Sequence, residues 1–185
     1  GAYTHSYLVS LFSSMLAKQF EWDSLPTTET IVMGCLLHDI GKLKLPKDLL
    51  DKRPAQMTPE ELAQYKTHPK LGVQIVEKNR MISPSVKQII LQHHEASDGS
   101  GFPDGLRDAR IQTLSKIVIL ANDFVHIIQD KKLAPAAALR ELLSSPNAAK
   151  HYNAHTLESF LKVFIDPEKV TAMDRESRVK SMIKA

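Results

Sequence analysis

Seven residues of related chemistry are spread along this chain: His5, His38, Asp39, His68, His93, His94 and Asp123. Imidazole nitrogen and carboxylate oxygen together suit first-row divalent ions. Such mixed ligation favours iron, manganese, zinc or nickel over magnesium or calcium. His38 and Asp39 open the run His38-Asp39-Ile40-Gly41-Lys42, which closes an apolar stretch beginning near Ile31. An ionised carboxylate beside such a stretch is costly unless something pairs with it, and a divalent cation removes that penalty. Any one of the seven could be a core histidine or a pair that merely ends a helix. All seven together, on the inner sides of five helical segments, are enough to fill most of two coordination spheres.

The elements that must position these residues read as helices, and strand signals are nearly absent. Leu8, Leu11, Phe12, Met15, Leu16 and Phe20 recur at three- and four-residue steps, one face of an amphipathic helix that also carries His5. Pro26-Thr27-Thr28-Glu29 supplies a second start, and that helix runs to His38-Asp39 with Gly41 as its end. Residues 43–57 read as an irregular connection punctuated by Pro46 and Pro54. Thr58-Pro59-Glu60-Glu61 is a capping box, and His68-Pro69 must then kink or restart the helix. Leu71, Ile75 and Val76 extend its buried stripe. Ser83-Pro84 opens the next helix, whose inner face is Val86, Ile89, Ile90, His93 and His94. Asp98 to Gly105 is a loop by composition. Ile111–Ile128 is the most buried-looking helix, apolar all round at 117–121, with Asp123 one turn beyond. Helices over Leu133–Leu143 and Tyr152–Phe164 follow, then a charged helical tail over 166–185. The expected architecture is therefore an all-α bundle, with one domain over 1–165.

Composition is that of an ordinary globular domain: 185 residues, 43% hydrophobic and 24% charged. The formal charge of +3 is too small to point to a nucleic-acid polymer. No run reaches the ~18 apolar residues of a membrane span, and no leader pattern opens the chain. The one cysteine, Cys35, lies among Met33, Leu36 and Leu37 and reads as a small buried hydrophobe. A cytoplasmic location is expected, and the abrupt start at Gly1-Ala2 suggests a piece of a longer protein with a regulatory domain.

His38-Asp39-Ile40-Gly41-Lys42, His93-His94-Glu95, Asp98-Gly99, Gly101-Phe102-Pro103 and Asp104-Gly105-Leu106, taken as a set, resemble the HD-GYP subfamily of HD-domain phosphohydrolases. The resemblance runs from about His5 to Phe164. It implies a helical bundle that hydrolyses the bacterial second messenger cyclic di-GMP to pGpG or GMP. It also implies two divalent ions, iron or manganese first. His5, His38, Asp39 and Asp123 would hold one, and Asp39 would bridge to a second on His68, His93 and His94. A carboxylate suits that bridge because it has two oxygens. Ions ~3.5–4 Å apart can share a hydroxide that attacks phosphorus. Lys42 would contact the phosphate or the leaving oxygen, with Asp39 the second catalytic residue. Asp98, Gly101, Phe102, Pro103 and Lys116 would bind substrate.

Departures from the subfamily pattern fall mostly where substrate would be gripped. Phe102 replaces tyrosine and so loses a hydroxyl while keeping a ring. Lys116 stands in place of an arginine and cannot give a planar bidentate grip. His126 replaces a second acid, Ala96-Ser97 is lighter than usual, and Gly1 falls where some members carry a third-metal glutamate. Three functions compete: the phosphodiesterase, a binding module that has lost turnover, and a related hydrolase of another cyclic dinucleotide or nucleotide.

Overall fold

The computed structural model describes residues 2–164, so Gly1 and the charged tail expected over 166–185 lie outside the described residues. Among those residues the fold is all-α, with helices, short 3-10 turns and a single isolated bridge, Asp98–Arg107. None of these helices is long and apolar enough to cross a membrane.

Helix α1 (Ala2–Gln19) buries His5, Val9, Phe12, Ser13, Leu16 and Ala17. The expected stripe is therefore rotated, since Leu11 and Met15 are exposed. Apolar residues cover much of this helix, so periodicity alone could not choose between two overlapping faces. Helix α2 (Leu25–Leu37) starts earlier than expected. The Ser24 hydroxyl caps it by accepting from Thr27 N at 3.4 Å, with Pro26 in the first turn. It stops at Leu37. Gly41 does not end it but lies buried inside a 3-10 turn, Ile40–Lys44. A side chain there is excluded, because a Cβ would sit 1.8 Å from His68 O and 2.5 Å from Gly72 N. The glycine lets this turn press against the next long element.

The connection read as irregular holds two more short turns, α3 (Lys47–Leu50) and a 3-10 turn at Pro54–Gln56. Helix α4 (Pro59–Tyr65) carries the reciprocal Thr58–Glu61 capping box. The chain then restarts as α5 (His68–Val76), with Pro69 in the first turn, where its missing N–H costs nothing. The buried side of α5 is His68, Pro69, Gly72 and Val76; Ile75 is exposed and Leu71 only half-buried. Ser83 caps α6 (Pro84–Gln92), its hydroxyl accepting from Val86 N. Helix α7 (Thr113–Lys131) is shifted toward the C-terminus relative to expectation and closes on Lys132 in the left-handed region at φ 53°. Helices α8 (Pro135–Leu143), α9 (Ala148–His151) and α10 (Ala154–Val163) replace the two segments read over 133–143 and 152–164.

The main core gathers α1, α2, α8 and α10 around α7, with Ile89 of α6 and Ala148 of α9. Phe124 stands edge-on to Phe12 and Phe160 at centroid distances of 4.9 and 5.0 Å. Burying Phe124 and Phe160 contributes on the order of 3 kcal/mol each. Cys35 belongs to this core, fully buried, with its thiol pushed up to about 12 by burial. A smaller core of Val76, Ile82, Val86 and Ile90 joins α5 to α6, with Leu37 and Ile40 packed against it.

Replacing Gly41 with alanine should lower the unfolding free energy by about 3 kcal/mol, because the added methyl meets main chain that no rotamer change can move aside. Urea denaturation measures this, and an unchanged midpoint would mean that the two backbones can part freely.

Candidate metal centre

Three histidines of the site follow helix ends. His38 caps α2, His93 caps α6, and His68 opens α5 just beyond the end of α4. Each places its ring Nδ1 on the carbonyl three residues upstream: His38 on Cys35 O at 2.6 Å, His68 on Tyr65 O at 2.8 Å, and His93 on Ile90 O at 2.8 Å. A carbonyl only accepts, so each Nδ1 carries the proton and each Nε2 is left with a lone pair. This is how an outer hydrogen bond fixes a metal-binding tautomer. Helix C-termini also carry partial negative charge, which favours a cation nearby.

Those Nε2 atoms converge on Asp39, which is 27% exposed. Its Oδ1 lies 3.3 Å from His68 Nε2 and 3.6 Å from His93 Nε2. Its Oδ2 lies 3.4 Å from His38 Nε2 and accepts from Lys42 Nζ at 2.6 Å. His68 Nε2 and His93 Nε2 are themselves 3.2 Å apart. Lone pairs thus face lone pairs and a carboxylate. Among the described residues, His38 Nε2, Asp39 Oδ1 and His94 Nε2 are buried with no hydrogen-bond partner. Such an arrangement of acceptors is stable around a cation. The candidate ligand atoms form two groups that share Asp39: one with His68, His93 and His94, the other with His5 and His38. The donor set therefore fits divalent metal on both sides of one carboxylate.

Asp123 is not in either group. Its carboxylate turns away to accept from Tyr152 Oη at 3.0 Å and lies 3.8 Å from His151 Nε2. The α7 residues that meet His5 are Asn122, its amide 3.0 Å from His5 Nε2, Gln129, 2.9 Å from His5 Nδ1, and His126, whose ring is 4.5 Å from that of His5. The step from 122 to 126 to 129 follows one helix face, and Asp123 lies off it. Burial lowers His93 to about 3 and His126 to about 4, and drops His5 and His94 below the usual histidine range. For Lys42, burial alone would lower the ammonium, but the Asp39 charge beside it and Tyr65 raise it.

Above the centre opens a cleft of 860 Å³, bounded by Asp39, Lys42, His94, Phe102 and His126 on the metal side and by Tyr65, Lys47, Lys52 and Arg53 on the other. Phe102 stacks on His94 at 4.5 Å, and Lys66 Nζ lies 5.5 Å from its ring centre. The loop that carries it is anchored by Glu95, whose buried carboxylate accepts from Asp104 N and Leu106 N at 2.8 and 2.7 Å. Gly101 has no room for a Cβ, which would lie 2.4 Å from Ala96 N. Gly101 and Pro103 therefore shape the loop and do not bound the cleft. Nor do Asp98 and Lys116 reach it. Asp98 folds onto Ser100 N and Oγ, and Lys116 pairs with Asp108 at 2.8 Å behind the loop. Sequence reasoning missed Asn122, Gln129, Glu95, Tyr65, Lys47, Lys52 and Arg53. Glu95 adjoins the histidine pair and was the most findable of these; the others gave no chemical signal by spacing.

The fold is a helical bundle built around a candidate metal centre, and the comparisons give its family. The model of the HD domain matches residues 2–154, and the chain belongs to the HD-domain family. Within it, the chain falls in the HD-GYP subfamily. It is 31% identical over 163 residues to a cyclic di-GMP phosphodiesterase of Pseudomonas aeruginosa, covering 86% of this chain and 38% of that protein. It is 32% identical over 162 residues to a cyclic di-GMP phosphodiesterase of Thermotoga maritima, covering 86% and 44%. A solved HD-GYP-type protein of Bdellovibrio bacteriovorus superposes with a TM-score of 0.74 at 28% identity, over 89% of this chain and 52% of that one. The chain thus spans about two-fifths of the length of these curated relatives.

In the metal-free protein, His5, His93, His94 and His126 resist protonation while their unfolded counterparts titrate near 6.5. Below that pH the unfolded chain binds more protons, so stability falls as pH falls. Urea midpoints of chelator-treated protein should drop from pH 7 to pH 5, by up to about 1.4 kcal/mol per pH unit for each such histidine. His151, raised chiefly by Asp123, acts oppositely, its contribution fading as pH rises through its folded value. A flat profile would contradict the buried neutral imidazoles.

Proposed function

We propose that this chain is a metal-dependent phosphodiesterase of cyclic dinucleotides, with cyclic di-GMP the preferred substrate and pGpG or GMP the product. The observation that carries the reading is one carboxylate, Asp39, shared by two groups of histidine nitrogens beneath a cleft lined by Lys42, Lys47, Lys52 and Arg53. The names of the relatives support the substrate.

His68, His93, His94 and Asp39 would hold one ion, and His5, His38 and Asp39 another, with iron or manganese the best match to this donor set. Bound divalent ions supply Lewis-acid stabilisation of phosphoryl oxygens and an activated water. The chain's own residues do the rest. Lys42, kept protonated by Asp39, stands at the mouth of the centre as a donor to a phosphate oxygen or to the departing ribose oxygen. Lys47 and Arg53 raise the local concentration of a doubly charged ligand, Lys52 being paired with Glu61. The rings of Phe102 and Tyr65 border the cleft and offer apolar surface to a base. Glu95, tying down Asp104 and Leu106, keeps the Phe102 ring in register with His94.

A binding module with weak turnover is the second reading, favoured by Phe102, which lacks a hydroxyl, and by Lys116, which is engaged with Asp108 away from the cleft. Incubation of anaerobically purified, manganese-loaded protein with cyclic di-GMP, followed by chromatography, separates the two. Product that chelator abolishes is expected. Asp39→Ala or His93→Ala should cut turnover at least about 100-fold with loss of bound metal, the scale at which disturbing even an outer partner of a ligand is felt. Lys42→Met should lower turnover with metal content intact. Tight binding without product in the wild-type chain would instead select the module, and full activity in Asp39→Ala would sink the metal centre.

A further inference from the structure

The two ligand groups that meet at Asp39 are unequal. One has three imidazoles, His68, His93 and His94; the other has two, His5 and His38. The wall that could make up the difference is α7, and the residue it presents there is Asn122, fully buried with its amide 3.0 Å from His5 Nε2. An amide is neutral. The neighbouring acid, Asp123, is engaged with Tyr152, and among the described residues no second carboxylate joins either group. Asp39 is therefore the one negative charge available to both sides.

The hydrogen-bonding of the rings points the same way. On the three-histidine side His94 Nε2 is buried without a partner, and on the two-histidine side so is His38 Nε2. His5 is not: its Nδ1 meets the side-chain amide of Gln129 at 2.9 Å and its Nε2 that of Asn122. A neutral imidazole needs one acceptor and one donor, and each amide can turn either face toward it. Both nitrogens of His5 are thus satisfied by protein in either tautomer. Turning the Asn122 amide only exchanges which of its two polar atoms meets His5, so one end of the amide serves His5 in either orientation. An ion entering this side must displace a hydrogen bond that His5 already makes to an amide; on the other side His68 and His93 Nε2 have only each other and Asp39 as neighbours, and His94 Nε2 has no partner.

We propose that this chain holds one divalent ion tightly, on Asp39, His68, His93 and His94, and a second only weakly, on Asp39, His5 and His38, and that Asn122 sets the difference. This deepens the metal-dependent reading above and rests on it. The test titrates metal-free protein with manganese(II) alone by calorimetry and measures manganese retained after desalting, in the wild-type chain, Asn122→Asp and His5→Gln. The wild-type chain should retain one equivalent, with the second site at least about 100-fold weaker. Asn122→Asp should retain two, and His5→Gln one. Two retained equivalents in the wild type, one in a folded Asn122→Asp, or none in a folded His5→Gln would overturn the inequality while leaving the metal centre standing. No manganese in either the wild type or Asn122→Asp would overturn the metal-dependent reading and the inequality with it. If Asn122→Asp fails to fold, the wild-type and His5→Gln stoichiometries decide.

Discussion

The structure depends on a deliberate surplus of acceptors. Helix ends leave carbonyls without partners, and three of those carbonyls take the Nδ1 protons of His38, His68 and His93. Satisfying the helix ends in this way turns every freed lone pair inward onto the Asp39 carboxylate. The same hydrogen bonds that complete the helices therefore create an interior that lacks positive charge. Among the described residues, Lys42 at its edge offsets part of that deficit by donating to Asp39. Folding and cation binding are coupled through these atoms, and the helical frame around them serves to hold that imbalance in place.

Much of this was legible in the sequence because it sits at chain punctuation. His38-Asp39 ends an apolar run, His68 stands before a proline, and His93-His94 close a helix whose start is marked by Ser83-Pro84; each position is announced by cap or breaker chemistry. The α7 contribution was not legible. That helix is buried on nearly every side, from Ser115 to Val125, so hydrophobic periodicity carries no information about which residue faces the centre. Charge then favoured Asp123, and packing chose Asn122. Phe102 of the loop does border the cleft, and Asp98 and Lys116 lie elsewhere for a different reason. Asp98 and Lys116 have the chemistry of ligand grippers, but short-range partners, Ser100 and Asp108, were already available to them. Spacing alone cannot reveal such local competition.

The cleft adds a division of labour. Its metal side is built from helix caps and from a loop held by the buried Glu95 carboxylate. Its far side, from Lys47 to Arg53, is made of short turns carrying exposed basic side chains. The candidate ligand atoms thus lie on the helix-capped wall, and the long basic side chains on the wall of short turns.

The contact between Gly41 and the carbonyl of His68 bears on how such a centre can diverge. It binds the turn after Asp39 to the helix of His68 through main-chain atoms, which are the same whatever the side chains become. Change is then channelled to positions that touch the centre only by their side chains. Asn122 is one of these, and aspartate has nearly its size and shape. A lineage could therefore tune how many ions the centre keeps, or how firmly, by single exchanges that the fold does not register.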